Sequence, residues 1–282
     1  MAKYLRYESG ESYRYGRLDG TRITPLDGTF PNFTPSKDPT VELGSVKLLA
    51  PTVPTRIVSA GPGFMNGSDP ATMPTIPTFW HKPLAAQNDP EGIIEIPDDD
   101  WPGIVHECEF AIVIGKKAKR ISVEEAKDHI FGYMIYNDIT RGDFNPGGKG
   151  FANTCYYAYG KTYDGFAPMG PYVVTDIDPT NLRMICRVNG EVRQDHNTSD
   201  RLFTNEQIVS WLSHMGTLNP GDVISTGSPP GMTWLKDGDV VECEIEELGI
   251  LRNYVRKNPV PPPPEMVGRR DLYWPHKPVG SD

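Results

Sequence analysis

The chain has 282 residues, 38% hydrophobic and 23% charged, an ordinary globular balance with length for one large domain or two small ones. Glycine and proline, 28 each, make up about one residue in five, which argues against a helical bundle or coiled coil and for many short strands joined by turns. A formal net charge of −9 with no long basic run speaks against a nucleic-acid partner and an anionic lipid surface, and no apolar stretch of roughly 18 residues offers a membrane span.

Met1-Ala2-Lys3-Tyr4-Leu5-Arg6 carries no apolar secretory segment. Residues 1–50 predict a small N-terminal β unit. Its alternating runs (3–7, 13–18, 21–25, 46–49) are broken by Gly10, Gly16, Gly20 and Gly28. Residues 51–100 predict a Gly/Pro-rich lid and connector. The run 59–67 with Pro70, Pro74 and Pro77 reads as a long loop, and Phe79-Trp80 and Ile93-Ile94 follow as apolar anchors. Residues 101–258 predict the main domain, dense in strands at 104–115, 131–136, 172–175, 182–188, 222–226 and 239–245. Two helices interrupt them. Ser122 with Glu125 forms a capping box for one, and the apolar spacing over 205–215 marks the other. Residues 259–282 are a tail opening on Pro259-Val260-Pro261-Pro262-Pro263-Pro264, a stiff extended segment expected to lie over the surface or a dimer mate. The fold class expected is mainly β with short helices, that is, α+β. Cys108, Cys155, Cys186 and Cys243 form no C-x-x-C pair and read as buried free thiols in a reducing cytoplasm.

The stretch 104–115 is the most informative. In a strand, residues two apart share a face, so Glu107 and Glu109 are expected side by side on an otherwise apolar strand. Two buried neighbouring carboxylates repel, and one must take a proton unless a cation lies between them. A second apolar strand, 132–138, ends on Asp138. Three carboxylates from neighbouring strands make a hard ligand set that suits Mg²⁺, Mn²⁺ or Ca²⁺ rather than Zn²⁺. On spacing alone, a solvated strand face is the alternative. Other motifs fail. Gly160-Lys161-Thr162 lacks the glycine a phosphate loop needs at position 155, which is Cys155. Gly61 and Gly63 are separated by Pro62, and Asn66 stands where a dinucleotide loop needs its third glycine. No G-x-S-x-G elbow occurs.

Residues 104–252 resemble the fumarylacetoacetate hydrolase family, with a looser resemblance over 1–100. His106-Glu107-Cys108-Glu109 followed by Val113-Ile114-Gly115-Lys116 is similar to its E-x-E…VIGK strand, and Asn137-Asp138-Ile139-Thr140 to its N-D-[VMI]-T segment. Lys161, Asp164, Phe166, Pro168, Gly170 and Pro171 match a K-x-x-D-x-F-x-P-x-GP run. Residues 188–194 with Asn197-Thr198-Ser199 resemble its VNGE-x-RQ…[TN]TS stretch, and 218–229 its L-x-PGD-x-I-x-TG[TS]P stretch. The resemblance implies a mixed β-sandwich roll, a homodimer, and Mg²⁺ or Mn²⁺ (Ca²⁺ in a crystal) held by Glu107, Glu109 and Asp138. It implies small 2-oxo or 1,3-dicarbonyl acids as substrates, chelating an ion that acts as Lewis acid towards an enolate. Lys161 matches the lysine beside the metal, where an ammonium adds oxyanion stabilisation. Gln194 and Thr226-Gly227-Ser228 match positions that hydrogen-bond the substrate carboxylate.

One departure bears on the reaction. Hydrolytic members carry N-Y-x-x-H-x-x-E in the lid, a His–Glu pair that activates water for C–C cleavage. Here Met65 stands near the histidine position, no glutamate follows, and Met65 is assigned to substrate binding. His81, His106 and Asp69 are the candidate substitutes. His106 precedes a ligand and points to the opposite strand face, which suits support of the ligands or packing. His81, in Thr78-Phe79-Trp80-His81-Lys82-Pro83 near the family's F-x-K-P segment, is the expected proton carrier, and Trp80 and Phe64 are expected to line an apolar pocket. The expectation is a divalent-metal-dependent enzyme acting on a small oxo acid through a metal-bound enolate, with hydrolytic C–C cleavage as the family default. The missing pair keeps decarboxylation, isomerisation and hydration or dehydration as alternatives, and a non-catalytic metal-containing binding protein as a second one.

Overall fold

A computed structural model describes residues 1–64, 69–97, 103–141 and 160–258. Met65, Cys155 and the proline-rich tail therefore lie outside the described residues. The fold is mostly β with few short helices, the class expected from the sequence.

Four antiparallel strands open the chain: Ala2–Ser9, Ser12–Asp19, Arg22–Thr29 and Asn32–Pro35. Gly10 and Gly20, both at positive φ, begin the first two hairpin turns, where a left-handed residue is required. The first strand also pairs with Ala167–Thr175 through Ala2, Lys3 and Tyr4, so the N-terminal unit extends one large sheet. That sheet continues through Ile130–Asn137, Cys108–Ile114, Val223–Ser225, Ile57–Gly61 and Thr78–Lys82. A second sheet runs Ile93–Pro97, Gly249–Asn258, Val240–Ile245, Arg183–Val188, Glu191–Asn197. The two enclose the main core, where Phe110, Ile112 and Ile135 of the first join Met184, Cys186, Val241, Leu251 and Val255 of the second. The other face of the large sheet buries Ala111, Val113, Met134, Tyr136, Met169 and Val223. Cys108–Ile114 is buried at every position because both of its faces are covered, which explains its unbroken apolar run.

Three differences from the sequence reading matter. The run 104–115 is two strands. Ile104–Val105 joins Thr140–Arg141 and Trp234–Leu235 in a small sheet, and His106-Glu107 forms the break. The Asn137 side chain causes it: its Oδ1 accepts the Glu107 N–H at 2.9 Å, where a ladder bond would run, while the Asp138 N–H donates to the Glu107 carbonyl at 2.9 Å. The stretch 51–100 is not a plain connector, since Ile57–Gly61 and Thr78–Lys82 pair antiparallel within it. Gly249–Asn258, a strand not singled out, alternates buried Leu251, Asn253 and Val255 with polar neighbours. The helices agree with expectation. Ser122 and Glu125 form the capping box of Val123–Ala126, and Asn205–Met215 carries a second box from Thr204 and Gln207. Cys108, Cys186 and Cys243 are buried and free. No described helix is long and apolar enough to cross a membrane.

Candidate metal centre

The break at His106-Glu107 and the exit of the chain at Asn137-Asp138 lie side by side, because Cys108 pairs with Asn137 and Glu109 with Tyr136. Glu107, Glu109 and Asp138 therefore converge. One carboxylate oxygen from each lies within 4.8 Å of the others, and all three residues are buried.

Two ammonium groups accompany them. Lys161 Nζ donates to Asp138 Oδ2 at 2.6 Å and to both Glu107 oxygens at 3.1 and 3.2 Å. It also sits 4.8 Å from the centre of the Trp80 ring. Lys82 Nζ pairs with Asp138 Oδ1 at 2.6 Å and donates to the carbonyls of Ile139, at 2.8 Å, and Phe166. Thr140 Oγ1 donates to Glu107 Oε1 at 2.6 Å. Glu109 is held from the other side: its Oε2 accepts from the Gly227 N–H at 2.8 Å and from Ser225 Oγ. Glu109 Oε1 is buried with no hydrogen-bond partner among the described residues.

The electrostatics follow from this geometry. Burial, reinforced by Asp138 and Glu107, pushes the Glu109 carboxyl well above the usual range. Burial alone would raise Asp138 too, but the Lys161 and Lys82 ammoniums outweigh it and hold Asp138 low. Burial would lower Lys161, but Asp138, Glu107 and Glu109 outweigh it and hold that ammonium charged. Burial dominates at Lys82, which falls to about 8 despite Asp138. Three ionised acids against two ammoniums would leave one negative charge in excess, which keeps the proton on Glu109 in the absence of a cation, and among the described residues Glu109 Oε1 has no partner. A divalent cation with a preference for oxygen ligands resolves both, so the donor set fits Mg²⁺ or Mn²⁺.

The other sequence candidates divide. Gln194 is buried beside the centre, but its amide is already engaged. Oε1 accepts from the Cys108 N–H at 3.2 Å, and Nε2 donates to the Pro229 carbonyl at 2.6 Å. The Thr226 hydroxyl donates to the Phe110 carbonyl at 2.7 Å. Gly227, at φ +89°, presses against Gly63, where a Cβ would meet the Gly63 Cα at 2.6 Å. Ser228 is half-buried on the same turn, its hydroxyl donating to the Pro229 carbonyl at 3.2 Å. The Thr233 N–H donates to His106 Nε2 at 3.2 Å, so Nδ1 carries the proton and faces Gln194 Oε1 at 3.2 Å. His106 thus braces the strand break, as its position opposite the ligands implies. His81 is not brought to the acids. Strand alternation sends Trp80 and Lys82 to the centre and His81 to the exposed side, 3.2 Å from Arg56 Nη2. Asp69 is exposed and caps its own turn through the Ala71 N–H at 2.9 Å. Phe64 packs in the main core. Sequence reasoning missed Lys82, Ser225 and the role of Thr140. A period-two reading of Thr78–Lys82 would have found Lys82 on the face of Trp80.

The two packed sheets and the buried acid cluster define a β fold with a candidate metal centre, and comparison with known proteins places it. The family model for the fumarylacetoacetate (FAA) hydrolase C-terminal domain matches residues 59–256, and the Rv2993c-like N-terminal model matches residues 2–51. The chain belongs to the fumarylacetoacetate hydrolase family. It is 43% identical over 205 residues to the uncharacterized protein MJ1656 of Methanocaldococcus jannaschii, covering 72% of this chain and 84% of that one. It is 39% identical over 228 residues to the mitochondrial oxaloacetate tautomerase fahd2 of Xenopus laevis, covering 75% and 69%. Among solved structures, the 2-hydroxyhepta-2,4-diene-1,7-dioate isomerase of Mycobacterium marinum superposes with TM-score 0.79 at 30% identity, over 92% of this chain and 100% of that one. A maleylpyruvate hydrolase of Sphingobium sp. SYK-6 in complex with manganese (II) ion and pyruvate gives TM-score 0.73 at 25% identity, over 90% and 99%. Family membership makes the protein an enzyme of the hydrolase, lyase or isomerase type.

Proposed function

We propose that the protein is a divalent-metal-dependent enzyme that enolises a small 2-oxo acid, with tautomerisation or double-bond isomerisation as its reaction. The observation that carries this reading is the buried cluster of Glu107, Glu109 and Asp138, with an orphaned Glu109 Oε1 and the Lys161 ammonium alongside. Mg²⁺ or Mn²⁺ held by these three acids supplies Lewis-acid stabilisation of enolate charge. The chain's own groups do the rest. Lys161, kept charged by its acid neighbours, adds a second positive centre for developing oxyanion charge. Lys82 and Thr140 fix Asp138 and Glu107 in place, and the Gly227 N–H fixes Glu109. The 226–228 turn, with Ser228, is the side from which the substrate carboxylate is held. Gln194 and Thr226 serve that turn and the strand break, since their polar atoms are spent on the backbone. Met65, which lies outside the described residues, keeps the substrate-binding assignment that its sequence position suggests. His81 is given no proton-transfer role, because it faces Arg56.

Enolisation needs a proton moved at the carbon beside the ketone. It needs no activated water attacking carbon, so it tolerates the missing His–Glu pair. The names of the frog and mycobacterial relatives, a tautomerase and an isomerase, support this order of preference over hydrolytic cleavage. A homodimer in a reducing cytoplasm, consistent with three buried free thiols, completes the proposal. The test is product analysis with enol oxaloacetate, a 2-hydroxydienoate and an acylpyruvate, each with Mg²⁺ and with chelator. Metal-dependent conversion of the first or second without C–C cleavage is expected. Cleavage of the acylpyruvate at comparable rate would overturn the isomerase reading in favour of a hydrolase.

A further inference from the structure

Two buried hydroxyls beside the metal centre have no role in the account above. Tyr136 is fully buried, and its hydroxyl makes no hydrogen bond to a protein group among the described residues. Ser59 is also fully buried, and its Oγ makes none among the described residues either. The register brings both to Glu109. Tyr136 stands directly opposite Glu109 across the pair of central strands. Ala111, on the same face as Glu109, stands opposite Ser225, and Ser225 stands opposite Ser59. Tyr136, Glu109, Ser225 and Ser59 therefore form one row across one face of the sheet, and the contact of Ser225 Oγ with Glu109 Oε2 confirms the shared face. The Ser59 hydroxyl lies against that of Tyr136, near enough to influence it but outside hydrogen-bond geometry. Glu109 Oε1 is the third unpartnered atom of the row.

Three buried polar atoms left unsatisfied in one place are costly, and ordered water making about three hydrogen bonds is how protein interiors remove that cost. We propose that Tyr136 Oη and Ser59 Oγ hold one buried water against Glu109 Oε1 and thereby fix this carboxylate for the ion. Both hydroxyl donors are used: the Tyr136 and Ser59 hydroxyls donate to the two lone pairs of the water, and the water donates one hydrogen to Glu109 Oε1. Glu109 Oε1 keeps a second lone pair for the ion. Tyr136 and Ser59 are positioning residues, acting on the metal through Glu109.

This inference rests on the metal reading proposed above, and the experiment separates the two. Mn²⁺ affinity is titrated by electron paramagnetic resonance in the full-length parent, Tyr136→Phe, Ser59→Ala and the double variant, with the melting temperature of each metal-free protein measured alongside. Failure of the parent to bind Mn²⁺ would defeat the metal reading itself. With the parent binding, each single variant is expected to weaken Mn²⁺ affinity by about 10- to 100-fold, while the metal-free melting temperature holds or rises. The double variant is expected to be no weaker than the weaker single one, because both hydroxyls serve one water. Mn²⁺ affinity within twofold of the parent in Ser59→Ala would overturn the proposal, as would additive losses in the double variant. Should Tyr136→Phe fail to fold, Ser59→Ala alone decides.

Discussion

At the scale of the residue, Lys161 carries the heaviest load. Among the described contacts it is the only side chain that bonds the carboxylates of both Glu107 and Asp138, and 1% of its surface is exposed. Replacing it by methionine leaves those carboxylates without their shared ammonium. Breaking a buried pair by removing one partner costs about 3–5 kcal/mol. Lys161→Met is therefore expected to lower the denaturation midpoint of the metal-free protein and to reduce turnover by about 10²- to 10³-fold. Urea titration and steady-state kinetics check both parts, and parent-like stability would contradict the assigned geometry. Much of this site was legible in the chain. Two acids two apart on an apolar strand and an acid closing the next are conspicuous, since an apolar run rarely carries charge without a partner. Lys82 was not legible by the same rule. It lies in a segment crowded with prolines, beside the more conspicuous proton-carrying side chain of His81. The pleat decided otherwise, turning Lys82 inward and His81 out.

At the scale of the element, the close approach of two backbone segments shapes the centre. Gly63 would place a Cβ 2.3 Å from the Thr226 carbonyl oxygen, and Gly227, at φ +89°, one 2.6 Å from Gly63. Neither can carry a side chain without moving the turn whose N–H holds Glu109. Gly227→Ala is expected to cost about 1–3 kcal/mol and to weaken metal binding. Gly190→Ala is the control, because Gly190 shares a positive φ of 80° but faces open space. It should lose stability and keep its metal. Equal metal affinity in both variants would contradict a role for the close approach. The helix Asn205–Met215 offers a simpler case: its Thr204 cap accepts the Gln207 N–H at 3.2 Å, and Thr204→Ala should cost about 1 kcal/mol in urea denaturation. Helices were legible because capping and periodicity are local signals. The split of 104–115 was not, because it depends on Asn137 reaching the Glu107 N–H across 30 positions of sequence.

At the scale of the whole molecule, the N-terminal unit and the catalytic sandwich share one sheet. Ala2, Lys3 and Tyr4 pair with Thr175, Val174 and Val173, and Phe131 packs against Tyr4 and Phe30 with ring centres 5.2 and 4.7 Å apart. The sequence reads 1–50 as a separate β unit because its turns and alternation are self-contained, while the pairing that joins it to the rest links Ala2 to Thr175 and Tyr4 to Val173, far apart in the chain. Removing residues 1–50 bares the Ala167–Thr175 edge and an aromatic cluster, so a 51–282 fragment is expected to aggregate. Light scattering of the purified fragment checks this, and a monodisperse, folded fragment would contradict it.

Enolisation promoted by a metal held at Glu107, Glu109 and Asp138 is the central proposed step. The most direct measurement follows hydrogen–deuterium exchange by proton NMR at the carbon beside the ketone of a small 2-oxo acid in D₂O. With Mg²⁺ or Mn²⁺ present, the protein should accelerate exchange well above buffer and metal alone, and both chelator and Glu109→Ala should abolish the acceleration. Exchange no faster than the metal-only control, in a protein shown to have bound its metal, would contradict it.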